Sequence, residues 1–119
     1  MVMTQFFILL LLVHWLADFC LQTQEQANNK YNNSIALLSH VATYTMCMTV
    51  VIAAFYVSSL GLKIVLCAGL YLGISHFLID FVTSKITHRL YEAKRYHDFF
   101  VVIGCDQFLH VLTLFSLTL

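Results

Sequence analysis

The sequence is poor in charge and has no proline. Charged residues make up 10% of the 119 residues, whereas an ordinary soluble domain has roughly 25%. Six basic residues balance six acidic ones, so no overall field favours nucleic acid as a partner. The four cysteines lack CxxC spacing, which argues against a disulfide framework or a thiolate metal site, and we expect them to be small buried apolar residues. At this length the chain forms one domain, 1–119.

Hydrophobic residues dominate instead, at 61% of the chain. A membrane-spanning helix needs about 20 mainly apolar residues, and lipid offers the backbone no hydrogen-bond partner outside the helix. Four stretches qualify, at about 4–22, 35–58, 64–82 and 99–119. The first has no basic residues before it, so we interpret it as a retained span. The third continues as a polar helix to about 92, and its GxxxG motif at Gly69 and Gly73 permits close helix packing. The predicted fold is therefore all-α, a four-helix transmembrane bundle and a single integral membrane domain.

The connections between the spans differ in charge. Residues 22–34 form a polar loop that ends at Ser34, the expected N-cap of the second helix. The loops after the first and third spans hold five basic residues, and the other side holds only Lys63. The positive-inside rule then places the basic loops in the cytoplasm and both termini outside, which in a bacterium indicates the inner membrane. The five residues are Lys30, Lys85, Arg89, Lys94 and Arg95.

Histidine and aspartate recur four positions apart, as HWLAD at 14–18, HFLID at 76–80 and, reversed, DQFLH at 106–110. Residues i and i+4 share a helix face, and the chain reverses direction between spans. We therefore expect these side chains, with one from the second span, at a common depth near the cytoplasmic face. Burying three carboxylates costs more than interhelical hydrogen bonds return, which favours a functional site; buried histidine–aspartate ion pairs are the alternative. The seven candidates are His14, Asp18, His40, His76, Asp80, Asp106 and His110.

Imidazole and carboxylate without thiolate are typical of catalytic rather than structural metal sites. Seven side chains exceed the needs of one ion, so two ions could share them through a bridging aspartate. We expect a divalent metal, zinc in the first place, with manganese and iron as alternatives. Asp18 is the candidate catalytic base, and Gln22, Ser84 and Gln107 are candidates for orienting the ligands. The predicted reaction is hydrolysis of a phosphoester in a lipid-borne substrate.

Two other classes of function fit parts of the pattern. Intramembrane His/Asp chains also serve as proton or metal-ion pathways, but the outer halves of the spans have almost no ionisable residue to continue one. A small hydrophobic chain also suits a non-catalytic phage or bacterial membrane factor, holin-like or engaged in host interaction. Such a factor would not require the convergence of seven histidines and aspartates. Membrane lipids are expected partners in every case.

The elements HWLADFCLQ, LLSH, HFLIDF and DQFLH, in this order, resemble the small inner-membrane proteins of bacteria and phages grouped as the domain of unknown function numbered 3307. The resemblance covers nearly the whole chain and implies a membrane location, but no activity. More loosely, the pattern is similar to membrane-bound metal-dependent hydrolases, which implies hydrolysis, although further motifs of those proteins are absent from this sequence. The elements that carry the resemblance are His14–Asp18–Gln22, His40, His76–Asp80 and Asp106–Gln107–His110.

Overall fold

A computed structural model describes residues 2–119, and that part of the chain is helical without strands. Four of its helices are long and apolar enough to cross a membrane, as the sequence predicts. A fifth, short helix lies between the first two of these. The elements are α1 (Val2–Trp15), continued by a π-helical turn (Leu16–Cys20), then α2 (Gln24–Asn29), α3 (Ser34–Leu60), α4 (Leu62–Glu92) and α5 (Tyr96–Ser116).

The connection between α1 and α3 is more ordered than the predicted polar loop. Thr23 and Gln26 form a capping box that starts α2, with each side chain accepting a hydrogen bond from the other residue's backbone N–H. The N-cap of α3 is Asn33, whose side-chain oxygen accepts from the backbone N–H groups of Ile35 and Ala36. The assignment of Ser34 as N-cap was therefore wrong by one residue, because the asparagine carbonyl reaches two free N–H groups.

Helices α3 and α4 pack closely along the GxxxG motif. A Cβ atom added to Gly69 would overlap the hydroxyl of Thr49, and one added to Gly73 would overlap the hydroxyl of Thr45. These glycines therefore set the distance between the two helices. The turn that joins them is a single residue, Gly61, with a positive φ of 81° that favours glycine.

The interior and the outer surface of the bundle are both apolar. Fully buried side chains from all four long helices form the core, while large hydrophobic side chains such as Val50 and Phe100 are 64% and 67% exposed. In water such a surface would be costly, but in a bilayer it faces hydrocarbon. Cys20, Cys67 and Cys105 also lie on this surface, so the expectation that all cysteines are buried was wrong. The core comprises Phe6, Leu10, Ala17, Tyr44, Met48, Ile52, Val65, Leu72 and Leu114.

Candidate metal centre

The seven predicted ligands lie together inside the bundle, toward the end that carries the α1–α3 and α4–α5 connections, which we call the loop end. Six of them are no more than 4% exposed, and Asp106 is half-buried. They come from α1 and its π-helical turn, α3, α4 and α5, so every long helix contributes at least one. The common depth that the sequence predicts is thus realised as direct contact between side chains.

Four of these residues, Asp18, His40, His76 and Asp80, form what we call the deep group. The Nε2 atoms of His40 and His76 are 3.0 Å apart. His40 Nε2 lies 3.1 Å from Asp18 Oδ1 and 3.5 Å from Asp80 Oδ2. His76 Nε2 lies 3.5 Å from Asp18 Oδ1 and 3.6 Å from Asp80 Oδ2. Ligands of a tetrahedral ion, at about 2.0–2.1 Å from it, are about 3.3 Å from each other, so the deep group could hold a metal ion with little rearrangement.

Three residues, Asp18, Asp106 and His110, form a second set that we call the outer group, and it too could hold an ion. Its ligand atoms lie within 4.8 Å of one another, with His110 Nε2 at 3.6 Å from Asp106 Oδ2. Asp18 belongs to both groups. The two groups are also joined through Asp80, because its Oδ1 lies 3.2 Å from His110 Nε2. The arrangement therefore has the shared carboxylate that a two-ion site needs.

The seventh predicted ligand, His14, lies outside both groups. Its Nε2 atom is 3.0 Å from Gln107 Oε1. The amide nitrogen of Gln107 donates to Asp18 Oδ2 at 3.1 Å and to Asp106 Oδ2 at 2.9 Å. Gln107 thus links His14 to the carboxylates of Asp18 and Asp106, and its role in orienting metal ligands stays a prediction.

The other two residues predicted to orient the ligands make no such contact. The side-chain oxygens of Gln22 and Ser84 are buried and have no hydrogen-bond partner within residues 2–119. Both residues line the cavity described below. Thr83, which no sequence pattern singled out, donates to Asp106 Oδ1 at 2.5 Å. An orienting hydroxyl is therefore present one residue away from the predicted one.

The position of Asp18 depends on the π-helical turn at Leu16–Cys20. The Leu21 N–H donates to the carbonyl of Leu16 at 2.8 Å, which closes the wider i to i+5 ring. Ala17 and Asp18 are buried by this turn. The sequence interpretation assumed a regular α-helix from His14 to Asp18, and this turn is a departure from it. Such turns occur frequently at functional sites.

Stacking supplements the Nε2 hydrogen bonds in orienting two of the histidine rings, those of His76 and His110. Tyr44 stacks on His76 with ring centroids 3.9 Å apart, and His76 stacks on His110 at 4.3 Å. The Nδ1 atoms of His14, His40, His76 and His110 are buried without a hydrogen-bond partner in the described part of the chain. Their Nε2 atoms all contact the carboxylates, another histidine or Gln107. His40, His76 and His110 therefore present one ring nitrogen each to the carboxylates or to another histidine, while His14 presents its own to Gln107.

Lys30 is a member of the site that the sequence interpretation used only to assign membrane orientation. It lies at the end of α2, and its Nζ donates to Asp80 Oδ2 at 2.8 Å. Burial acts to lower the pKa of Lys30, but the Asp80 carboxylate, together with those of Asp18 and Asp106, outweighs this effect and raises the pKa above its ordinary value. The ammonium is therefore charged at neutral pH and balances part of the negative charge of the cluster.

A cavity of about 440 Å³ extends from the outer group toward the loop end. Asp18, Asp106 and Gln107 border it, whereas His40, His76, Asp80 and His110 do not. Among the lining residues, Tyr31 stacks on His88 with ring centroids 3.6 Å apart, and both side chains are half-buried. The remaining lining residues include polar Lys30, Asn28 and Thr87 and apolar Phe19, Phe99 and Ile103.

Comparison with known proteins identifies the family of this chain. It belongs to the family described as Protein of unknown function (DUF3307), whose model matches residues 6–119. Searches of curated proteins and of solved structures found no match. The matched range contains every residue of the deep and outer groups, so the family assignment covers the site but assigns no reaction to it.

Proposed function

We propose that this member of the DUF3307 family is an inner-membrane metalloenzyme that hydrolyses a phosphoester in a lipid-borne substrate, using two divalent ions, zinc in the first place. In this proposal the loop end faces the cytoplasm, as the distribution of lysine and arginine favours. The observation that carries the proposal is the position of Asp18, which is shared by the two groups of ligands and borders the cavity together with Asp106 of the outer group, whereas the other three residues of the deep group do not border it.

The two groups differ in the way that structural and catalytic metal sites differ. Structural ions have closed sets of four protein ligands, whereas catalytic ions have three and leave a position for water or substrate. The deep group supplies four residues, all buried. The outer group supplies three, and two of them, Asp18 and Asp106, border the cavity. These differences support a stabilising ion in the deep group and a reactive one in the outer group.

The cavity suits a substrate with an anionic head and an apolar body. Its volume lies within the range of about 300–1,000 Å³ that is typical of small-molecule pockets. Its lining includes the basic residue Lys30 as well as the apolar residues Phe99 and Ile103. A lipid with a phosphorylated headgroup combines both properties, and the surrounding membrane would supply it.

The roles of the residues follow from their positions. A bound divalent ion would supply Lewis-acid polarisation of a phosphoryl oxygen. Asp18 and Asp106 are the two carboxylates of the site that border the cavity, and either can accept a proton from water there. The sequence suggested Asp18 as the base on condition that it is not engaged by metal, so in a two-ion site that shares Asp18 this role falls to Asp106. Gln107 holds both carboxylates in place through its amide nitrogen.

A transmembrane ion pathway is less well supported by the same structure. Beyond the site, the buried residues are apolar, including Phe6, Met48, Ile52 and Val65. Among the described residues, the buried side chains that could relay a proton thus lie toward the loop end of the bundle. A pathway would require polar groups along the whole span.

Metal content and lipid hydrolysis test the proposal. The full chain is purified in detergent without chelator, and zinc, manganese and iron are measured for the wild type, His76→Ala and, as a matched control, the exposed His97→Ala. We expect stoichiometric metal in the wild type and in the control, and a reduced ratio in His76→Ala. Phosphate release from vesicles of phosphorylated lipid should follow the metal content. Equal metal content in the wild type and His76→Ala, or stoichiometric metal without hydrolysis of any phosphorylated lipid, would contradict the metal site or the reaction, respectively.

A further inference from the structure

We propose that Lys30 is a tethered cation that competes with the deep-group metal ion for Asp80, so that metal binding moves its ammonium into the cavity. This inference rests on the proposed metal site. It gives Lys30 two alternating partners, the Asp80 carboxylate in the metal-free protein and the anionic head of the substrate in the metal-bound protein.

Lys30 and the metal ion would compete for a single oxygen atom of Asp80. Asp80 Oδ2 accepts a hydrogen bond from Lys30 Nζ at 2.8 Å. The same atom lies 3.5 Å from His40 Nε2 and 3.6 Å from His76 Nε2, at the separations expected for ligands of one ion. An ion bound to Asp80 Oδ2 would therefore place two positive charges within a few ångströms of the ammonium. In a site sheltered from water, such repulsion is only weakly screened.

The charge of the cluster explains why a lysine belongs there. Three carboxylates, those of Asp18, Asp80 and Asp106, lie close together among the histidines of the site. Lys30 is the only lysine or arginine that forms an ion pair with them among residues 2–119. Isolated buried carboxylates are costly, so the ammonium stabilises the metal-free site. A divalent ion would stabilise the carboxylates more effectively, and the positive charge of Lys30 would then no longer be needed.

Lys30 is placed so that it can leave Asp80 without unfolding any part of the bundle. It belongs to the short connection between α2 and α3, and its side chain is 21% exposed, compared with 2% for that of Asp80. It already lines the cavity, together with Tyr31 and His88. Rotation about its side-chain bonds is therefore sufficient to bring the ammonium into the cavity, where an anionic headgroup would meet it.

Metal affinity of the detergent-solubilised full chain gives the first test, with Zn²⁺ as the probe and a chromogenic chelator as competitor. Lys30→Gln removes the competing charge at similar length, and Lys30→Arg keeps it. We expect Lys30→Gln to bind Zn²⁺ more tightly than the wild type, by about 5-fold to 150-fold, the usual range of coupling between two ligands, and Lys30→Arg to remain close to the wild type.

The outcomes separate this inference from the proposed function. Equal or weaker Zn²⁺ binding by Lys30→Gln, with binding by the wild type intact, overturns the competition and leaves the metal site standing. Absence of Zn²⁺ binding in both proteins overturns the metal site itself, and the inference with it.

Chemical modification of the wild type gives a second test that depends on no variant. Acetylation of lysines by a water-soluble reagent is followed by mass spectrometry with and without Zn²⁺. Release from Asp80 should raise the acetylation rate of Lys30 several-fold, while the exposed Lys94, remote from the site, should be unaffected. If Lys30 reacts at the same rate in the absence of Zn²⁺ and at saturating Zn²⁺, the ammonium does not move and the inference is wrong.

Discussion

The glycine–threonine contacts between α3 and α4 lead to a prediction about how the metal site is held together. Gly73 lies three residues before His76, and Thr45 lies five residues after His40. The contact between Gly73 and Thr45 therefore sets the separation of the helices that carry the two deep-group histidines. Substituting Gly73 with alanine should push these helices apart and weaken metal binding, although neither residue is a ligand.

The size of the displacement can be worked out from the structure. A Cβ on Gly73 would lie 3.1 Å from Thr45 Cγ2 and 3.2 Å from Thr45 Cβ, besides overlapping the hydroxyl. Carbon atoms pack best at about 3.5–4.0 Å, so relief requires a separation of about 0.5 Å. A change of the Thr45 rotamer does not help, because Thr45 Cβ itself is too close. Metal sites tolerate errors in metal–ligand distance of only about 0.2 Å. We therefore expect metal binding to weaken by about 1–3 kcal/mol, which raises the metal dissociation constant about 5-fold to 150-fold.

The assay is a Zn²⁺ titration of the detergent-solubilised chain, combined with a thermal melt that shows whether the variant is folded. Gly104→Ala is the matched control, because a Cβ at Gly104 meets no atom within 4 Å. The double variant Gly73→Ala with Thr45→Gly transposes the small residue to the other helix and should recover part of the affinity. A folded Gly73→Ala protein that binds Zn²⁺ as tightly as Gly104→Ala would refute the claim that this contact sets the geometry of the site.

Three further predictions concern the two groups and the cavity. We expect Asp18→Asn to weaken the binding of both ions and His110→Ala to remove only one of them. Elemental analysis measures the metal-to-protein ratio and distinguishes these outcomes from a site that holds a single ion. Gln107→Leu should lower the melting temperature, since it leaves buried polar atoms unpaired at about 1–3 kcal/mol each; an unchanged melting temperature would contradict its linking role. Ile103→Trp should fill the cavity and reduce turnover of phosphorylated lipid while the metal content stays the same. Undiminished turnover in this variant would show that the substrate binds elsewhere.

The sequence predicted the spans because span length is a local property. About 20 apolar residues are needed to cross the bilayer, and this requirement can be counted along the chain without knowing any contact. The depth of the polar residues could be counted in the same way. His40 lies near the start of α3, and Asp106 lies about ten residues into α5, so both fall toward the loop end before any packing is known.

Residues whose roles depend on a neighbouring element were missed. Lys30 looked like a loop residue that marks orientation, and only its contact with Asp80 makes it part of the site. Tyr44 was not singled out by any sequence pattern, and only the structure shows that it stacks on His76. Cys67 was expected inside because apolar residues are usually buried in soluble proteins, whereas lipid accepts them outside.

The sequence by itself determined that four apolar helices carry histidine and aspartate at similar heights. Only the tertiary structure decided which of those side chains touch, that Asp18 joins two groups and that Asp18 and Asp106 border a cavity. The physical reason is that height along a helix follows from counting residues at a fixed rise, whereas rotation about the axis and the distance to the next helix follow from packing. In this protein packing is set by the contacts of Gly69 and Gly73 and by the π-helical turn before Leu21, and neither effect is encoded in the spacing of the polar residues.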